Sequence, residues 1–385
     1  MHFLRTTIQF PSDLNEALVD SIWGQEPTNA ELAALGKTLR PLWEKLALQR
    51  GQQERDAHYS FRKEQVDAYS SYYLAANALK PGLILEEALS LGLDLLGDPD
   101  SSWLDFGTGP GTAFWGISWW AARRGKKLKF TGWDQSELFA QRAGFLTRKK
   151  PFGTEASFLV SEGKRDWSKQ IRRLKPTHVS FMNSIAEIFP DEEERLRSVK
   201  EIISILRDLE ASDGKSRFLV VIEPGSKFSS RELSRMKDAL ANEGSVLLPC
   251  FDNRPCGALV NPEDWCHEEC SCEFPSWLNE LGSFMRKESM IFSYLVFSPK
   301  KGNPLLAGAA RMVSQRLEQK GQVECYLCKP EGKRKVRVQR SKTSPENSFF
   351  MDACRGDIFS KIELGEKGDI LRREVPKIQA LPPLF

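Results

Sequence analysis

Eight cysteines occur in 385 residues, and five of them fall within 250–272. Thiolates bind zinc tetrahedrally, or hold iron–sulfur clusters through four cysteines. Cys250, Cys256 and Cys266 are irregularly spaced in a proline-containing loop. A zinc finger or ribbon more often shows C-x-x-C pairs. The one such pair, Cys325-Tyr-Leu-Cys328, stands alone on an expected strand. An irregular loop closed by a distant fourth cysteine suits a cluster at least as well as zinc. His267, beside Cys266, is an alternative ligand. In a reducing compartment, clustered cysteines are metal ligands more often than disulfides.

A second chemical signal lies upstream, in Leu104-Asp105-Phe106-Gly107-Thr108-Gly109-Pro110-Gly111. Glycines at this spacing let a strand-to-helix turn approach a ligand closely. The pattern is G-x-G-x-G rather than G-x-G-x-x-G, because Thr112 stands where the third glycine would fall. No Gly-Lys-Ser/Thr follows, so it is not a P-loop. Asp134 ends the next expected strand, where a carboxylate accepts hydrogen bonds from ribose hydroxyls. Asp105, Gly107, Gly109, Gly111 and Asp134 are therefore the candidate cofactor residues. Together they resemble class I S-adenosylmethionine-dependent methyltransferases. The segment after the fourth strand, Asn183-Ser-Ile-Ala-Glu187, lacks the prolines of base-nitrogen methyltransferases, and no cysteine nucleophile stands there. Asn183 or Glu187 could orient a substrate, but no general base stands out.

These groups need a frame to hold them. Helical periodicity covers Ser12 to Trp23, Asn29 to Arg50 with a kink or split expected at Pro41, Phe61 to Leu79 with a stop at Pro81, and Leu83 to Leu96. Its tyrosines are read as core packing. Short strands then alternate with helices: Trp103–Phe106, Lys129–Trp133, Ala156–Val160, His178–Met182, Phe218–Ile222, Ser245–Leu248 and Tyr294–Phe297. That alternation predicts a parallel, doubly wound sheet with its ligands at the carboxyl ends of the strands. Arg311 to Lys320 reads as a short helix. Val323–Cys328 and Lys335–Arg340 read as a hairpin across Lys329-Pro330-Glu331-Gly332.

Net charge is only +3, yet residues 299–344 hold twelve Lys/Arg against Glu318, Glu324 and Glu331. A concentrated basic stretch is how a chain meets phosphate, so Lys333, Arg334, Lys335 and Arg337 are candidate RNA-binding residues. No apolar run of 18 residues predicts a membrane span. The N-terminus has no secretory h-region, and Asp13, Glu16 and Asp20 oppose a transit peptide. A cytosolic or processed organellar protein is expected.

Several segments together resemble the methyltransferase-like mitochondrial small-ribosomal-subunit assembly factor family, whose bacterial members are of the Rsm-twenty-two type. The matching pieces are Leu104–Thr112, Ile222-Glu-Pro-Gly225, Pro249-Cys250, Pro255-Cys256, Asp264-Trp-Cys-His267, Phe292–Val296, Leu327-Cys328 with Gly332, and Gly356-Asp357. The resemblance implies a class I methyltransferase-like α/β fold acting on the small subunit during assembly. It also implies an iron–sulfur cluster of the four-iron type, held by Cys250, Cys256, Cys266 and Cys328. Cys325 is the rival for the fourth place, with Cys270, Cys272 and Cys354 spare. S-adenosylmethionine is a candidate cofactor, and zinc is the alternative metal. Expected units are a helical lobe (1–97), the methyltransferase-like domain (98–299) with an inserted cysteine loop (249–272), and a basic β-rich extension (300–385). The implied partners are small-subunit rRNA and the assembling subunit. The implied compartment is the bacterial cytoplasm, or the mitochondrial matrix in a eukaryote. The resemblance leaves catalysis itself open.

Overall fold

The structure, a computed structural model, describes residues 7–49, 62–163, 166–285, 287–301, 306, 308–329, 331–365 and 368–374. Its centre is a nine-stranded sheet. The strands are β1 (Ile8–Gln9), β2 (Ser102–Phe106), β3 (Lys129–Asp134), β4 (Glu155–Val160), β5 (His178–Met182), β6 (Phe218–Pro224), β7 (Ser245–Leu248), β8 (Glu268–Glu273) and β9 (Ser289–Ser298). Pairing runs β4-β3-β2-β5-β6-β9, all parallel except β9. The outer edge of β9 is shared. Residues 296–298 pair with β7 and 289–292 with β8, and β8 then pairs in parallel with β1. An apolar strand must be covered on both faces, and β5 is buried along its whole length.

Helices supply that cover. Leu79–Ser90 and Thr112–Arg123 pack on one face. Asp166–Leu174, Glu192–Asp213 and Lys227–Ala239 pack on the other. The helix Thr112–Arg123 is buried nearly all round, with Trp115, Trp119 and Trp120 at 0% exposure. The helices before residue 97 share one core with the sheet: Leu14, Leu18 and Tyr72 lie in the same cluster as Trp115 and Val296. Among the lobe's tyrosines, Tyr72 is buried and Tyr69 and Tyr73 are half-buried. No helix among the described residues is long and apolar enough to cross a membrane.

The expected split at Pro41 and the expected stop at Pro81 do not occur. The helix Asn29–Gln49 runs on through Pro41. Pro81 does not stop a helix but sits in the first turn of Leu79–Ser90, where its missing N–H costs nothing. Of the expected Phe61–Leu79 stretch, Phe61 lies outside the described residues. The rest is Lys63–Tyr69, a π-turn over Ser70–Leu74, and Ala75–Asn77.

The C-terminal extension is β-rich, as expected. It contains β10 (Ala310–Met312), β11 (Leu317–Gln319), β12 (Gln322–Lys329), β13 (Gly332–Gln339), β14 (Ile358–Phe359), β15 (Lys361–Leu364) and β16 (Ile370–Glu374). The expected hairpin is β12–β13, with Cys328 opposite Lys333 and Tyr326 opposite Lys335; Pro330 of its turn lies outside the described residues. The helix expected over Arg311–Lys320 is instead β10 and β11. The spacing there is two, not 3.6: Ala310 and Met312 enter the extension's own core while Arg311 points the opposite way.

Candidate functional site

The glycine turn and Asp134 meet at the carboxyl ends of β2 and β3. Gly107, Gly109 and Gly111 all have positive φ (66°, 53° and 85°). A Cβ on Gly107 would lie 2.4 Å from Ser184 Cβ, so the turn needs glycine there. At Gly109 a Cβ would meet nothing within 4 Å, leaving the backbone bare to a ligand. Asp134 accepts the N–H of Gly109 at 2.8 Å through one oxygen and of Ser136 at 2.8 Å through the other. The Asp134 carboxyl group is therefore fixed beside the turn. An acidic side chain at this place is where a ribose hydroxyl is held in such folds. Asn183 follows β5 with φ 57°, and its Oδ1 is buried without a hydrogen-bond partner among the described residues. Such a strained residue marks a candidate contact for a substrate. Glu187 is exposed.

Asp105 lies beneath the turn, 1% exposed, and accepts the Ser180 hydroxyl at 2.5 Å. Burial raises its pKa to about 7, against the Ser180 bond and with the help of nearby Asp134. The native state then binds more protons than the unfolded chain between the usual carboxylate value of 3.8 and about 7. Its contribution to stability is full below that window and is lost as pH rises through about 7. Asp105→Asn is therefore expected to flatten the decline of stability between pH 4 and 7 in denaturant titrations. An unchanged slope would mean that this carboxyl does not titrate there.

The cysteine loop, 249–267, runs between β7 and β8, two strands held on the same edge of β9. The helix Lys227–Ala239 shapes it from below. Arg231 donates to the carbonyls of Ala258, Asn261 and Asp264 at 3.3, 2.9 and 2.6 Å. Asp238 accepts the Cys256 N–H at 2.9 Å, and Lys237 donates to the Arg254 carbonyl. Across the loop, a Cβ on Gly257 would come 2.5 Å from Lys333 N, so only glycine lets β13 dock this closely. Lys333 Nζ then pairs with Asp264 at 2.6 Å.

This docking brings Cys250, Cys256, Cys266 and Cys328 to one cavity of about 90 Å³, with Lys237 and Arg311 also in its walls. Cys325 is excluded by strand alternation. It faces the extension's core with Val323 and Leu327, while Cys328 faces the other way. Cys270 and Cys272 are buried in the sheet core, and Cys354 is half-buried near the Asp352 carbonyl. Burial pushes the Cys250 and Cys328 thiols up to about 12 and Cys266 higher still, with neighbouring thiols adding to each shift. These donors stay protonated until a cation displaces the protons. Among the described residues, no group of three or more His, Cys, Asp or Glu converges tightly enough to hold one metal ion. Four cysteine thiols are a donor set that both zinc and iron–sulfur clusters take. His267 lines the same cavity, and burial with nearby Arg355 lowers its pKa to about 4, so the ring is neutral.

Arg311, absent from the sequence-based candidates, joins the parts around this cavity. It is 3% exposed and pairs with Glu87 at 2.6 Å and Glu268 at 3.0 Å; Tyr294 donates to Glu87 at 2.5 Å. One guanidinium thus links the helix before β2, strands β8 and β9, and the extension. The sequence signal was a lone charge between Ala310 and Met312 in an alternating run.

The basic candidates are less free than their count suggested. Lys333 is bound to Asp264, Lys335 to Glu324 at 2.7 Å and Arg337 to Asp369 at 2.9 Å. Only Arg334 of the four is exposed with no ion pair among the described residues.

The strand order, with β9 reversed between β6 and β7 and a glycine turn after β2, defines a class I methyltransferase-like protein. The chain belongs to the family described as mitochondrial small ribosomal subunit Rsm22, which matches residues 98–372. Comparison with curated proteins finds no match. Among solved structures, an S-adenosylmethionine-dependent methyltransferase from Aquifex aeolicus is similar at 16% identity and TM-score 0.33, covering 49% of this chain and 93% of its own. The methyltransferase domain of a citrinin polyketide synthase is similar at 14% identity and TM-score 0.39, covering 70% and 66%. The fold assignment rests on strand order rather than on these distant likenesses.

Proposed function

We propose that this chain is a small ribosomal subunit assembly factor that binds small-subunit rRNA and carries a four-iron cluster on Cys250, Cys256, Cys266 and Cys328. The observation that carries this reading is the meeting of those four thiols, from a loop and a distant hairpin, in one cavity with buried Lys237 and Arg311. The family description, which names the mitochondrial small ribosomal subunit, supports the partner. The compartment is then the mitochondrial matrix, or the cytoplasm in a bacterium. The cluster, when bound, ties the loop 249–267 to the β12–β13 hairpin. Lys237 and Arg311 offset the negative charge of four thiolates, and Lys333 holds the hairpin in place through Asp264.

Anaerobic purification followed by iron, sulfide and zinc analysis tests the centre. Iron and sulfide at about four each per chain are expected, with broad visible absorption. Zinc alone, or no metal after anaerobic reconstitution, sinks it. For RNA, the residues to replace are Arg334, Lys335 and Arg337, since losing Lys333 would also loosen the cavity. Their triple alanine variant is expected to weaken binding to single-stranded small-subunit rRNA. The slope of log affinity on log salt should become shallower by roughly 2, at about 0.7 per lost phosphate contact. Unchanged affinity and slope would place the RNA elsewhere.

A second reading, an active S-adenosylmethionine-dependent rRNA methyltransferase, is favoured by the unpartnered Asn183 oxygen beside the bare glycine turn. Calorimetric titration with S-adenosylmethionine tests what the second reading requires. Heat from the wild type but not from Asp134→Ala supports a working pocket, and no heat from the wild type rules the second reading out.

A further inference from the structure

His267 sits between the last cysteine of the loop and β8, and its ring lines the cavity with the four thiols. Its Nε2 lies 3.0 Å from Arg355 Nη1. Arg355 is itself held by donating from Nη2 to the Val313 carbonyl at 2.7 Å. A guanidinium has donors and no acceptor, so Nε2 must accept. A neutral ring then carries its hydrogen on Nδ1. Nδ1 is buried and has no hydrogen-bond partner among the described residues. Trp265 stacks on the ring at 5.7 Å and 23°, fixing its plane. His267 thus carries an oriented N–H with no partner among the described residues, on a residue that lines the cavity with four thiols, which become acceptors once deprotonated.

The same geometry opposes His267 as a metal ligand in this side-chain arrangement. Coordination through Nδ1 would move the hydrogen to Nε2, where it would face an N–H of Arg355. Coordination through Nε2 would displace that guanidinium.

We propose that His267 donates a hydrogen bond from Nδ1 to a sulfur of the centre, a cysteine thiolate or an inorganic sulfide, and that Arg355 sets the tautomer that makes this possible. The inference rests on the cluster reading above and names a positioning residue of that site. A donor to sulfur withdraws negative charge from the cluster and favours its reduced state.

Three measurements test it. In nitrogen-15 spectra of the metal-free chain, His267 is expected as the Nδ1–H tautomer, and Arg355→Met should shift it toward Nε2–H. A dominant Nε2–H tautomer in the wild type would overturn the proposal directly. After reconstitution with ferrous iron and sulfide, His267→Phe is expected to keep the wild-type iron content but show a lower reduction potential by spectroelectrochemistry. His267→Asn, which can place an amide N–H where Nδ1 stood, should restore most of it. A Phe variant with full iron and an unchanged potential would overturn the hydrogen bond. Loss of iron specific to both His267 variants would make the ring a ligand and overturn the proposal in that way. A wild-type chain that takes up no iron and sulfide would instead remove the cluster reading, and this inference with it.

Discussion

Arg311→Met is expected to destabilise the fold by about 3–5 kcal/mol, the usual cost of leaving a buried ion pair without one partner. Glu87 and Glu268, 2% and 4% exposed, would face each other across an apolar gap. Burial already raises the Glu268 pKa, with Arg311 the main group holding it down and Glu87 opposing. Removing the guanidinium forces protonation or local opening. The measurement is thermal unfolding, with Tm expected to fall by roughly 5–10 °C. Adding Glu87→Gln and Glu268→Gln to the same variant should recover part of the loss, since neutral amides no longer repel. A single variant as stable as the wild type would show that the two carboxylates are already neutral, and that Arg311 does not join lobe, sheet and extension.

The second large effect separates two cysteines three residues apart. Cys328→Ser is expected to purify with little or no iron and sulfide, because one of four ligands is gone. It should also expose the β12–β13 hairpin to limited proteolysis. Cys325→Ser is expected to keep its iron, since that thiol faces the extension's apolar core with Val323 and Leu327. Its cost is a buried hydroxyl in place of a thiol, about 1–3 kcal/mol if no partner is found. Iron retained by Cys328→Ser and lost by Cys325→Ser would reverse the assignment.

Local pattern carried much of this structure. The seven strands expected from Trp103 to Phe297 all lie within observed strands; the buried ones, such as β5 and β6, read as short apolar runs between turns. The glycine turn and Asp134 also come together as their places on consecutive strands imply. What failed depended on partners distant in the chain. The segment 311–320 reads as helix only while the sheet that accepts Ala310 and Met312 is out of view. β8 was missed, since Glu268-Glu-Cys-Ser-Cys-Glu273 lacks a β-branched residue and is a strand because β9 offers it a free edge. The choice between Cys325 and Cys328 was legible in principle: parity with Val323 and Leu327 puts Cys325 inside. The ion pairs of Lys333 and Arg337 were not, because Asp264 and Asp369 are remote in sequence.

The division of the cavity between Cys250–Cys266 and Cys328 has a consequence for biogenesis. Synthesis runs from the N-terminus, and domains fold as they emerge. Three of the thiols appear together, but the wall stays open until β12 and β13 have been made and the hairpin has docked on Gly257. Such a distant contact forms late, since its loop must close before any contact repays the entropy. A chain truncated before residue 328 therefore contains the whole central sheet and never contains the finished site. Completion of the cavity therefore signals that synthesis has passed the β12–β13 hairpin, at the surface where that hairpin meets the body.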